Sequence, residues 1–369
     1  MSDAKFNQIS SPSKQKFGDQ LIEQINPIMS IHQELQLNQQ KLIQQDNHYQ
    51  STSESFTYDL IQDYSIQQNE YCYAIAFNSD NSIVLAGCYS KIKVFEFKQE
   101  QLKLIQILSE HQNNVSTLNF MKKQTQFISG SWDKLIIIWS MNQNSQWICT
   151  QKLNEHKYWI NCLIQNNNED LIISGSQDTT IKFWIKQNHW VCSQTITDHK
   201  QQVLGLYLNE KQNRVISCGQ DSLILIEESS QKWNVIQMIK LELWGIRLCF
   251  INDNQFIFQP LCKEQMHVYE INSSNNQYSK TKEIPVKCDS ESCNYFFPQQ
   301  FIKSKSLIVN KNGKCVNLIR KNQNGDFITQ QSIQFESESI FGQMSDNGEY
   351  LITWDKLSKK IQVRKYHSL

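Results

Sequence analysis

The sequence predicts an all-β fold: a ring of seven four-stranded blades, a β-propeller, closed by a strand from its N-terminal side. Three observations carry that prediction. Two separate sets of residues recur in register, in steps of 43 and 45 residues. Within each unit the apolar residues follow a period near two, in short runs divided by turns, which is the pattern of strands and not of paired helices. Residues 66–369 are also long enough for seven such units.

Taken in chain order, residues 1–54 are rich in Gln, Asn and Ser. They predict a flexible extension. Leu21, Ile28, Leu35 and Leu42 are seven apart, and Pro27 interrupts the early part, so a short helix is expected over 30–46. The propeller is expected over 55–369. The segment SFTYDLIQDYSIQ (55–67) is β-compatible but has no partner of its own, while the last unit stops at Leu369 one strand short. Pairing the two covers an open sheet edge, which would otherwise invite aggregation. Residues 55–67 are therefore expected to complete the last blade. Inner strands are expected to start near 72, 115, 160, 203, 246, 293 and 340.

The first repeated set is polar. SGSWDKLIIIW (129–139), SGSQDTTIKFW (174–184) and SCGQDSLILIE (217–227) align, with His111, His156 and His199 each 22 residues before Asp133, Asp178 and Asp221. The second set lies in the outer strands. WICTQKL (147–153), WVCSQTI (190–196) and WNVIQMI (233–239) begin with Trp and carry Gln at the fifth place, and LKLIQIL (102–108) shares the Gln. YSKTKEI (278–284) and FITQQSI (327–333) are degraded copies.

These units resemble WD40 repeats. The carriers are His111, Ser129, Asp133 and Trp139; His156, Ser174, Asp178 and Trp184; and His199, Ser217 and Asp221, with Glu227 where the third Trp belongs. The resemblance implies that each set is a buried hydrogen-bond network tying one blade together. The Trp-Ile/Val-Cys runs at 147–149 and 190–192 also resemble the WD40 adaptors of cytosolic iron–sulfur protein assembly. That likeness implies an adaptor in a complex delivering clusters to apoproteins. A scaffold subunit of a trafficking, ciliary or ubiquitin-ligase assembly is the alternative.

Ser, His and Asp together also suggest a hydrolase. That reading needs an exposed nucleophile beside an oxyanion hole. Three equivalent copies on three blades cannot share one site, so no catalytic residue and no enzyme is expected.

Propellers of this kind commonly bind partners through the loops entering the first strands and the turns that carry the Asp. Aromatic residues and Arg there are typical anchors. The candidates are Tyr89, Trp132, Tyr158, Trp159, Gln177, Gln220, Trp244, Arg247 and Trp354. Trp132 is expected at an exposed turn position.

Composition narrows the partners. Thirty-six Lys and Arg balance thirty-six Asp and Glu, so no long-range pull toward nucleic acid or membrane is expected. The apolar runs fall short of a membrane span. The first residues hold no apolar core of a secretory signal. Eleven cysteines are scattered without a CxxC pair. They predict free buried thiols, no zinc site, and a cytoplasmic and also nuclear location. His189 and Cys192 lack a third ligand nearby. Other proteins are the expected partners, with no cofactor, metal or small-molecule substrate.

Overall fold

The computed structural model describes residues 55–61, 65–322 and 324–369. The extension 1–54, with its expected helix, lies outside the described residues. On the N-terminal side come β1 (Phe56–Leu60) and β2 (Ile66–Gln67). Blade one is β3 (Cys72–Phe77), β4 (Ile83–Cys88), β5 (Lys91–Lys98) and β6 (Gln101–Leu108). Blade two is β7 (Val115–Phe120), β8 (Gln126–Ser131), β9 (Ile136–Met141) and β10 (Trp147–Leu153). Blade three is β11 (Ile160–Gln165), β12 (Leu171–Ser176), β13 (Ile181–Lys186) and β14 (Trp190–Ile196). Blade four is β15 (Val203–Leu208), β16 (Arg214–Gly219), β17 (Ser222–Ser229) and β18 (Lys232–Lys240). Blade five is β19 (Gly245–Asn252), β20 (Gln255–Pro260), β21 (Gln265–Asn272) and β22 (Gln277–Pro285). Blade six is β23 (Gln300–Ile302), β24 (Leu307–Asn312), β25 (Cys315–Lys321) and β26 (Phe327–Gln334). Blade seven holds β27 (Ile340–Met344), β28 (Tyr350–Asp355) and β29 (Lys360–Ser368).

Each blade is an antiparallel meander, and the first strands of successive blades pack against one another around the ring. Blade seven takes its fourth strand from the N-terminal side: β1 pairs with β29, with Tyr58 opposite Tyr366, and β2 continues the edge with Ile66 opposite Ile361. The strand expected over 55–67 thus closes the ring.

Six of the seven inner strands begin within a residue of their expected positions; that of blade six does not. It starts at Gln300 rather than near 293, and 286–299 is a loop. Two causes are visible. Pro298 lacks the N–H a ladder needs. Arg247, reaching from β19, draws off the carbonyls of Asn294 (2.5 Å), Tyr295 (2.9 Å) and Phe297 (2.8 Å).

The burial pattern explains why the strands read as they do. The second strands are buried almost throughout, and LIISGS in β12 at every position, because neighbouring blades cover both faces. The outer strands alternate, as in β10, with buried Trp147 and Leu153 at its ends. The apolar cores lie between blades. Leu85 and Val94 of blade one pack with Phe127, Trp139 and Trp147 of blade two. Ile173 and Phe183 of blade three pack with Val215, Ile224 and Trp233 of blade four.

The outer-strand signature proves to be one interaction seen from both ends. Gln106 Nε2 donates to the Trp147 carbonyl (2.8 Å), and the Trp147 N–H donates to Gln106 Oε1 (2.9 Å). Gln151 clasps Trp190, Gln194 clasps Trp233 and Gln237 clasps Tyr278 in the same two-bond manner. Gln331 clasps Tyr58 of β1, marking β1 as a true fourth strand. The fifth place of YSKTKEI in β22 is Lys282, which has no such bond to the next blade.

The expectation that all thiols are free needs one correction. Cys72 and Cys88 stand directly opposite each other across β3 and β4 and are joined as a disulfide. The other nine cysteines are free. Among the described residues, no helix is long and apolar enough to cross a membrane.

Candidate interaction face

On one face of the ring, the loops entering the first strands meet the turns between second and third strands. Blades two and three fix that meeting with the same four side chains. His111 Nδ1 lies 2.8 Å from the Asp133 carboxylate and Nε2 lies 2.7 Å from Ser129 Oγ, which also accepts Trp139 Nε1–H at 2.8 Å. His156, Asp178, Ser174 and Trp184 repeat this at 2.8, 2.7 and 2.9 Å. One proton arrangement satisfies every atom: Nδ1–H donates to Asp, and the Ser hydroxyl donates to Nε2. The Asp then reaches the entering loop, accepting from the backbone N–H of Gln112 or Lys157 at 2.9 Å. Each network therefore ties loop, turn and strand together at once.

Blade four keeps three of the four. His199 lies 2.8 Å from Asp221 and 2.9 Å from Ser217. Glu227, in place of Trp, turns to Arg214 (2.9 Å), which in turn donates to the Tyr278 hydroxyl (3.0 Å).

Burial opposes the charge on Asp133, Asp178 and Asp221. Hydrogen bonds from the histidines and backbone amides outweigh it, so all three carboxyls sit below the usual aspartate range. Burial holds the His199 ring below the usual histidine range despite Asp221 beside it.

The distances mimic a Ser-His-Asp triad, but Ser129, Ser174 and Ser217 are completely buried and leave a substrate no approach. In blades two and three the hydroxyl is also occupied by an indole N–H.

Above these networks the face is aromatic. Trp132, in the turn of blade two, stacks flat on Trp159, in the loop entering blade three, with centroids 4.2 Å apart and planes within 8°. The backbone sets this up: Trp132 N–H donates to Asn114 O, and Gln177 N–H donates to Trp159 O. Trp132 also meets Tyr73 at 5.4 Å and Phe296 at 6.0 Å. Tyr73 continues to Tyr71, and Tyr71 to Tyr89. Tyr158, Tyr89 and Trp159 remain 57%, 43% and 38% exposed. Lys134 lies over the Tyr158 ring. Beneath, the central channel holds a cavity of about 240 Å³, with Ser116, Asn161, Phe296 and Gln299 in its wall.

Residues 102–140 and 147–184 match the WD40 family, described as WD domain, G-beta repeat. Those two stretches carry WD40 repeats. Transducin beta-like protein 3 of Mus musculus is 34% identical over 107 residues, which is 29% of this chain and 13% of that protein. The Homo sapiens protein of that name is 31% identical over 106 residues, 28% of this chain and 13% of that protein. Periodic tryptophan protein 2 homolog of Schizosaccharomyces pombe is 32% identical over 71 residues, 19% of this chain and 8% of that protein. The chain thus matches only a small part of each relative's length.

The aromatic face gathers most of the expected contact residues, with corrections. Tyr89, Tyr158 and Trp159 are exposed, while Gln177, Gln220 and Trp244 are half-buried. Trp132 is not the exposed turn residue expected; Trp159 and Phe296 cover it to half-burial. Trp354 and Arg247 are 1% and 2% exposed, which removes both from the contact surface. Trp354 donates its indole N–H to Gln68 O inside the blade seven–blade one core, and Arg247 is spent on the 286–299 loop. Trp354 belongs to the strand β28 and not to a turn. Tyr71, Tyr73 and Phe296 were missed. Their signals were present: alternating aromatics in EYCYAIAF, and the run NYFFP in a polar loop.

Proposed function

We propose that this chain is a non-enzymatic WD40 scaffold whose aromatic face docks other proteins. The observation that carries this reading is the Trp132–Trp159 stack, flanked by exposed Tyr158 and Tyr89 and set on loops that the His-Ser-Asp-Trp networks make rigid. Rigid aromatic anchors lose little freedom on binding, so they contribute strongly to interfaces. Equal numbers of acidic and basic residues favour protein over polyanion.

Membership of a multi-subunit assembly is the finer reading. Its narrowest form is an adaptor in cytosolic iron–sulfur protein assembly, supported by the Trp-Ile/Val-Cys runs of β10 and β14 alone. Those runs have a structural use, since Trp147 and Trp190 are buried between blades and receive the glutamine clasps. The matched relatives carry other names. Affinity purification with mass spectrometry on the full chain separates the readings. Recovery of iron–sulfur assembly factors supports the adaptor, and their absence ends it. Loss of all partners on deletion of residues 1–54 favours a trafficking, ciliary or ubiquitin-ligase scaffold.

A further inference from the structure

Blade five and blade six bury a cluster the WD40 networks do not explain. Cys293, in the 286–299 loop, accepts at Sγ from Arg247 Nη1 (3.2 Å), Lys311 Nζ (3.0 Å) and the Gly313 backbone N–H (3.3 Å). Arg247 and Lys311 are both buried. Their remaining bonds go to carbonyls: Asn294, Tyr295 and Phe297 for Arg247, and Glu338 for Lys311 (2.8 Å). Neither cation makes an ion pair with a carboxylate among the described residues. Two buried cations need a compensating anion. The sulfur of Cys293 is the group placed to supply it.

Two more thiols complete the cluster. Cys262 lies in the turn after β20, half-buried and with φ +52°, and packs against Cys293. Cys288 packs beside both and donates to Ser290 O at 3.1 Å. Burial opposes ionisation of Cys293, yet Cys262, Arg247 and Lys311 outweigh it and hold that thiol well below its usual range. Cys262 is pushed the other way, chiefly by Cys293 beside it, and keeps its proton. Burial brings Lys311 down to about 8.

We propose that Cys293 is a hydroperoxide-reactive thiolate and that Cys262 is its resolving thiol. The thiolate attacks one peroxide oxygen, the O–O bond breaks, and Cys293 is oxidised by two electrons to the sulfenic state. The leaving hydroxide takes a proton from Lys311 and departs as water. The Cys262 thiol then attacks the sulfenic sulfur, the S–O bond breaks, and the Cys262 proton leaves with the oxygen as a second water. The product is a Cys262–Cys293 disulfide, with Lys311 neutral once its counter-charge has gone.

The test is graded hydrogen peroxide on the full chain, followed by thiol blocking and non-reducing peptide mapping. The expected first product is a Cys262–Cys293 link that dithiothreitol reverses. In Cys262→Ser, Cys293 accumulates as a sulfenic acid that dimedone traps. Lys311→Met slows the reaction by about tenfold or more. Should that variant fail to fold, the pH dependence of the unmodified protein decides. Cys293 oxidation then falls less steeply as pH drops below neutrality than that of an ordinary thiol, which slows about tenfold per unit, and an equally steep fall overturns the proposal. The proposal is overturned if Cys293 reacts no faster than half-buried Cys149 and Cys192, or if the link formed joins Cys288 instead.

Discussion

Blades two to four and blades five to six hold the same face by opposite means. In blades two to four a His is locked between Asp and Ser of its own blade. At the blade five–six junction a buried Arg and Lys from two blades converge on one loop sulfur. The first device is modular, closing within each blade and surviving repetition. The second crosses blades and can occur once in the ring. It also frees the 286–299 loop from the ladder, so that Phe296 reaches Tyr73 and Trp132.

That contrast can be broken by substitution. Asp178→Ala strands the His156 ring N–H and the Lys157 N–H and should cost about 2–4 kcal/mol, read from the urea midpoint of unfolding. Acid probes the same networks. The carboxyls of Asp133, Asp178 and Asp221 lie below their unfolded values, so their contribution is complete above an unfolded pKa of about 3.9 and is lost as pH falls through the folded ones. Thermal melts below about pH 4 should show blades two to four losing stability faster than the Arg247 cluster, which has no carboxylate.

Arg247→Met orphans three loop carbonyls and should cost about 2–3 kcal/mol. Proteolysis should then appear between 288 and 296. A loop as protected as before would mean the cation does not hold it.

Smaller effects probe the clasps. Gln151→Ala removes two bonds to Trp190 and should cost about 1–2 kcal/mol. Lys282→Gln supplies the missing clasp to Phe327 and should gain about 0.5 kcal/mol. Gln177→Ala, beside Asp178 but outside its network, should stay within about 0.5 kcal/mol by the same denaturation assay.

The difference between the two regions also sets what the sequence could reveal. His, Ser, Asp and Trp keep fixed spacings because they serve one blade, so three copies disclosed the fold and the networks together. The glutamine clasps were visible as a spacing but not as an interaction, since four of the five join strands some 40 residues apart and the fifth, Gln331 to Tyr58, joins residues 273 apart. The Arg247, Cys293 and Lys311 cluster has no repeat to betray it, and its residues come from three separate segments. For the same reason the sixth inner strand was placed seven residues too early, on the segment that the cluster holds as a loop. Arg247 and Trp354 were misjudged because residue type suggests an interface anchor, while burial is decided by neighbouring blades.

The proposed docking surface is the aromatic face and not the outer rim. Quantitative affinity purification should compare the full chain with a Tyr158→Ser/Trp159→Ala variant and with an Ile105→Ser/Ile148→Ser variant of exposed outer-strand residues, after matching their melting temperatures. The account predicts that the face variant loses the recovered partners and the rim variant keeps them. Partners retained by the face variant and lost from the rim variant would contradict it.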